Sequence, residues 1–243
     1  MREINTPKLP SKWHRKDTGF CNSPRIFLEK AYKIDLPIYG GWGYSIEDCV
    51  VIDKYDASVD PSVPFKGVPF EYLFAEKRIY AEMINFKDEK NWSSGIRWQL
   101  LLQTLEAING RTYDVLNFEV TAFPDKDWEY LGNDWEKNNG FVGDPEGRKK
   151  HLEENVKRKF FYNTQFWFDI TSFHDAAGDG ESGTIAAYRP GQGQGQYPKE
   201  SDSFDLATFQ PDPVEKILDE LNSLENKKPF HPKSYLLDMN IKY

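Results

Sequence analysis

The eleven residues from Tyr113 to Phe123 constrain the fold more than any other stretch, because their apolar positions recur at every second residue. Leu116, Phe118, Val120 and Ala122 fall on one side, and Val115, Asn117, Glu119 and Thr121 on the other. That is the period of a half-buried strand. Upstream the period is 3.6. Phe70, Leu73, Phe74, Tyr80, Ala81 and Ile84 share one helical face, and Trp98, Leu101, Leu102, Leu105 and Ile108 repeat the pattern. The second set predicts a helix from about Ser94, stopped by Asn109-Gly110.

The remaining segments mix the two periods. Cys49-Val-Val-Ile52, Thr164 to Phe173 and Thr184 to Tyr188 read as strands, and Asp56 to Pro69, with Pro61, Pro64, Gly67 and Pro69, as a loop. Asp125 opens a helix carrying Trp128, Leu131 and Trp135 at i, i+3 and i+7, and Arg148 to Lys159 forms a charged helix. Residues 189–203 have no periodicity and little to bury. Asp212-Pro213-Val214-Glu215 has the N-cap, N1 and N3 residues of a helix start, continued by Ile217, Leu218, Leu221 and Leu224. Tyr235 to Tyr243 alternates as a last strand. Helices and strands come in mixed order, without a βαβ rhythm or a repeat, which predicts an α+β fold: a mainly antiparallel sheet packed with several amphipathic helices.

Charge divides the chain. Of a net −8, the first 33 residues carry +5, which leaves −13 for the rest. Residues 1–33 read as a basic, irregular leader punctuated by Pro7, Pro10, Gly19 and Pro24, and residues 34–243 as one acidic domain. So acidic a body repels phosphate backbones and argues against nucleic acid as its ligand. No run approaches the roughly 20 apolar residues of a membrane span, so no membrane partner is expected. Met1 to Lys16 holds no apolar signal core, and Cys21 and Cys49 form no spaced pair, which together point to a reducing, cytoplasmic setting.

Complete catalytic motifs are missing from the sequence. Gly178-Asp179-Gly180-Glu181-Ser182-Gly183 has the form G-x-G-x-x-G, but Asp179 and Glu181 would repel a pyrophosphate and Pro190 follows before a helix can develop. A plain turn is expected and no cofactor is implied. His174, Asp175, Asp179 and Glu181 form the densest group of metal-ligating types, and an alternative reading makes them the centre of a metal-dependent hydrolase using a hard divalent cation.

Aromatic residues in acidic surroundings are the other candidate. Trp128, Tyr130 and Trp135 stand among Asp127, Glu129, Asp134 and Glu136, and Gly40-Gly41-Trp42-Gly43-Tyr44 offers Trp42 and Tyr44 on a glycine turn. Tyr and Trp are hot-spot residues of interfaces, and carboxylates steer a basic partner. The bland counterpart is a helix with its Trp inward and a turn with its aromatics tucked against the sheet. In overall character, though in no motif, the chain resembles bacterial immunity proteins, which neutralise a cognate toxin. That resemblance implies a protein-binding inhibitor that occludes a basic toxin or nuclease.

Overall fold

The structure, a computed structural model, describes residues 1–7, 9, 14–15, 19–20, 23–174 and 183–188. In chain order the elements are β1 (Arg2–Glu3), β2 (His14–Arg15), β3 (Gly19–Phe20), α1 (Pro24–Tyr32), β4 (Ile38–Gly40) and β5 (Val50–Ile52). Then come α2 (Val68–Tyr80), β6 (Ser93–Ile108), β7 (Arg111–Pro124), α3 (Asp125–Lys137), α4 (Pro145–Arg158), β8 (Phe160–Asp169) and β9 (Gly183–Tyr188). The fold is α+β. One sheet runs β4-β5-β8-β7-β6-β9 with β1 also beside β8, and β2 pairs β3 separately. Only β1 and β5 run parallel to their neighbour β8.

The alternation in β7 sets the layers. Leu116, Phe118, Val120 and Ala122 are fully buried, opposite Phe166, Thr164, Tyr162 and Phe160 of β8. Helix α2 covers this face: Tyr72 meets Phe118 edge-on at 6.0 Å and Phe74 meets Phe168 at 5.8 Å. Truncating such a ring to Ala costs about 3–5 kcal/mol. The helix continues as one π-turn over Ala81–Asn85 and is buried nearly all round, which forces Glu71, Glu76, Lys77, Arg78 and Glu82 inside with it.

The helix expected from Ser94 is strand β6. Two bulges, between Ser94 and Arg97 and between Leu100 and Leu102, shift its register against β7. Ile96 and Leu100 point into the core before the second bulge and Leu105 after it, so the extra residue Leu101 moves the apolar phase from even to odd. A bulged alternation looks like a 3.6 period. Asn109 and Gly110 adopt φ of 53° and 74° and form the two-residue turn of the β6–β7 hairpin, which needs left-handed backbone at both positions.

Two smaller differences concern ends. Strand β8 begins at Phe160 and closes at Asp169, four residues ahead of the stretch read as a strand at each end. The leader is not irregular throughout. Pro24 at N1 starts α1, Lys33 caps it at φ 58°, and Phe27, Leu28 and Tyr32 are buried in the main core. Arg25 on the outer side of α1 bonds Asp35 and Asp56. The segments from Asp212 and from Tyr235, the 189–203 loop and Cys21 lie outside the described residues. Cys49 is a free thiol, raised in pKa by burial. Among the described residues no helix is long and apolar enough to cross a membrane.

Candidate interaction surface

Helices α3 and α4 form a hairpin that meets the sheet through Phe123, a residue of β7 that points away from the main core. Trp128 packs on Phe123 with ring centroids 5.2 Å apart. Ser94 donates to Asp125 at 2.6 Å and ties the first turn of α3 to β6. A turn over Asn139–Phe141 reverses the chain, with Asn139, Gly140 and Phe141 all at positive φ. Asp144 then caps α4 by accepting from the Gly147 N–H at 2.8 Å, and Pro145 occupies the first helical position.

Between the helices lie Leu131, Phe141 and His151, all buried. Trp135 closes over Phe141 and His151 at 5.9 and 5.3 Å. Two polar links hold the pair in register. His151 Nδ1 and Asp134 Oδ2 are 2.7 Å apart, and Arg158 donates to Asp127 at 2.6 Å while its guanidinium covers the Tyr130 ring at 4.1 Å. The Asp127 bond raises the Arg158 pKa further above its ordinary value.

The hairpin concentrates exposed apolar side chains. Tyr130 is 49% exposed, Trp135 40%, Val142 82%, Leu152 52% and Val156 55%, and these five stand among only eleven such large residues on the described surface. Clustering of that kind, more than any single exposed residue, marks an interaction surface. Of the aromatic-acidic set read from sequence, the structure brings together Asp127, Trp128, Glu129, Tyr130, Asp134, Trp135 and Glu136 on α3. They do not all face the same way. Trp128 turns to the sheet, Asp127 and Asp134 turn to α4, and Glu129, Tyr130, Trp135 and Glu136 reach solvent.

Trp42 and Tyr44 do not join this surface. Trp42 packs among Phe27, Phe74 and Phe86 at 5.5–6.2 Å. Tyr44 donates to Glu82 at 2.7 Å, and burial beside that carboxylate pushes its phenol pKa up. Gly43 explains the glycines of this turn. At φ 78° its carbonyl accepts from Trp167 N–H at 3.0 Å, and a Cβ there would lie 3.2 Å from the Trp167 carbonyl.

Beneath Tyr44 is a buried ion pair that sequence reading missed. Arg78 donates to Glu82 at 2.9 Å, to the Trp42 carbonyl at 2.8 Å and to Thr164 Oγ1 at 2.7 Å, sandwiched between the Tyr44 and Phe166 rings. Tyr162 donates to the second Glu82 oxygen at 3.1 Å. The i, i+4 spacing of Arg78 and Glu82 was the available signal. A second buried cluster is Glu71 on α2 against Asp114 on β7. Gln103 donates to Asp114 at 2.6 Å, and neither Glu71 oxygen meets a donor. Burial and the facing carboxylate raise the Glu71 pKa well above its usual range, and burial raises Asp114 to about 6. With a proton on Glu71, the two carboxyls satisfy each other.

Of the proposed metal ligands only His174 is described, in the turn after β8; Asp175, Asp179 and Glu181 lie outside the described residues. Among the described residues no group of three or more His, Cys, Asp or Glu is placed to hold a metal ion.

Together these features define an α+β protein with a helical hairpin raised on one end of its sheet as the candidate contact surface. Comparison of the chain with protein-family models, with curated proteins and with solved structures finds no match.

Proposed function

We propose that the chain is a protein-binding protein of the immunity type, which neutralises a basic toxin or nuclease by laying the solvent side of α3 over its working surface. The observation that carries this reading is the exposure of Tyr130, Trp135 and Val142 on and beside a helix whose thirteen residues carry net −3. Aromatic side chains held by packing lose little entropy on binding and supply most of the energy of small interfaces. Tyr130 is held by Arg158, and Trp135 by Phe141 and His151. Glu129 and Glu136 are exposed on the same helix and supply the field that a cationic cleft would follow.

The test begins with capture of a partner from a lysate of the source cell, and with the product of the adjacent gene, followed by titration of the purified pair. Tyr130→Ala and Trp135→Ala are each expected to weaken the complex at least about tenfold, or 1.4 kcal/mol. Glu129→Lys with Glu136→Lys slows association and flattens its dependence on salt. A chain with no stoichiometric partner, or a complex indifferent to all four changes, sinks the proposal.

A further inference from the structure

Helix α4 carries an apolar stripe that neither the sheet nor α3 covers. Taking His151 as the centre of the face packed on α3, Pro145, Leu152 and Val156 sit about 100–140° round the helix axis, given 3.6 residues per turn. With Arg148, Lys149 and Lys157 they line a shallow groove of about 620 Å³, in which the one carboxylate is that of Glu153. More than half of Leu152 and of Val156 meets solvent. Pro145, Lys149, Leu152 and Val156 are spaced i, i+4, i+7 and i+11, the pattern of a seam that receives a second helix.

We propose that this seam is the seat of the chain's own residues 212–225. Their apolar positions, Val214, Ile217, Leu218, Leu221 and Leu224, recur at intervals of three and four, which gives a stripe of matching period. Their charge is complementary. Asp212, Glu215, Asp219, Glu220 and Glu225 against Lys216 make net −4, while Arg148, Lys149 and Lys157 against Glu153 make the rim of the groove +2. Reach is no obstacle. Strand β9 ends at Tyr188, and the 24 residues from 189 to 212 span up to about 80 Å when extended. A domain of this size is only about 40 Å across.

The tether also decides between occupants. By composition, the Gly-, Gln- and Pro-rich stretch between β9 and the acidic segment would keep that segment at an effective concentration of about a millimolar. An outside partner or a second copy must reach comparable levels to compete. The inference is independent of partner binding by α3, because it uses the side of α4 turned away from Tyr130 and Trp135. Its failure would leave that proposal standing, and the reverse holds too.

Hydrogen exchange on the full chain tests it. Residues 214–224 are expected to exchange at least about tenfold more slowly than a free peptide of the same sequence. Leu152→Asp with Val156→Asp removes that protection, and so does Leu218→Asp with Leu221→Asp. Leu152 and Val156 lie outside the main core, and far-UV circular dichroism checks that each variant is folded. Raising salt to roughly 0.5 M, where the Debye length falls to about 4 Å, weakens the protection in the unaltered chain. Exchange of 214–224 at the peptide rate overturns the proposal. So does protection that survives Leu152→Asp with Val156→Asp, and so does protection that rises with protein concentration alongside a dimer mass in light scattering, which assigns the seam to a second copy.

Discussion

Replacing Glu71 by Gln should stabilise the protein at alkaline pH, the reverse of what loss of a buried polar group usually does. Glu71 and Asp114 are both essentially inaccessible, and the groups acting on the pair are each other, the Gln103 amide and the Val115 N–H. In the unfolded chain both carboxyls titrate near pH 4. In the fold both are raised, so the folded state holds protons that the unfolded state has lost. Stability from the pair is therefore complete below about pH 4 and declines as pH rises. Asp114 gives up its share as pH passes about 6, a loss of about 3 kcal/mol for a shift from 3.8. Above that, the Glu71 proton alone continues the decline at about 1.4 kcal/mol per pH unit. The amide introduced by E71Q keeps the shape of protonated Glu71 and its hydrogen bond to Asp114, with nothing left to ionise. Urea unfolding at a series of pH values reads the effect, with a constant m-value as the control for the compactness of both states. The two proteins should be nearly equal at pH 4, with E71Q gaining up to about 1.4 kcal/mol on the parent for each pH unit above that until Glu71 loses its proton in the fold. Histidines cancel in the difference between the curves. Parallel curves between pH 6 and 8, or a variant weaker at every pH, would refute a shared proton.

Two other perturbations follow from the core. Arg78→Met fits the space but leaves Glu82 buried with only the Tyr44 and Tyr162 hydroxyls, and should cost about 3–5 kcal/mol by denaturant unfolding. Arg78→Met combined with Glu82→Gln should recover much of that, and a double variant no better than the single would show that packing between the rings, not charge, is what Arg78 supplies. Gly43→Ala places a Cβ at positive φ and against the Trp167 carbonyl, and should lower the melting temperature by about 2–8 °C, for a strain of about 1–2 kcal/mol. An unchanged melting temperature would mean that the turn moves without penalty.

The period of a segment was legible in the sequence wherever the element was regular. Strand β7, with its strict alternation, and helices α2 and α3 were legible from their apolar spacing, and α4 as a charged helix. Strand β6 fails for a physical reason: its bulge at Leu101 inserts one residue into a period of two, and the resulting spacings of three and four coincide with those of a helix. The Asn109-Gly110 pair carried the correction. Read as a helix stop it fits equally well, but between two long apolar segments it is the strongest short-range hairpin signal in a sequence. The aromatic surface was legible only as a composition. Which rings turn inward depends on where α3 lands on β6 and β7, and Trp128 is drawn in by Phe123, a residue more than one helical turn away in the chain. The buried pair Arg78–Glu82 left only its i, i+4 spacing as a signal and Glu71–Asp114 left none, because charged residues on a helix are ordinarily placed at the surface.

Those hidden pairs change what net charge means for a partner. The body of the chain is −13 net by count, but several of its carboxylates are paired locally: Glu82 with Arg78, Asp169 with Arg111, Asp127 with Arg158, and Asp35 and Asp56 with Arg25 from the first 33 residues. Burial and the facing Asp114 carboxylate disfavour the charged form of Glu71 as well. An interface senses the field at its own surface within about a Debye length, roughly 8 Å at physiological salt, and not the total. On the hairpin that field changes sign between its two exposed sides, with Glu129 and Glu136 on α3 and Arg148, Lys149 and Lys157 on α4. A cationic partner is therefore suited to only one side of it. The opposite side suits an acidic amphipathic segment, and the chain itself carries one within reach. If that seat is filled from within, the basic side is neutralised, and the acidic aromatic side becomes the dominant charge presented to any other molecule.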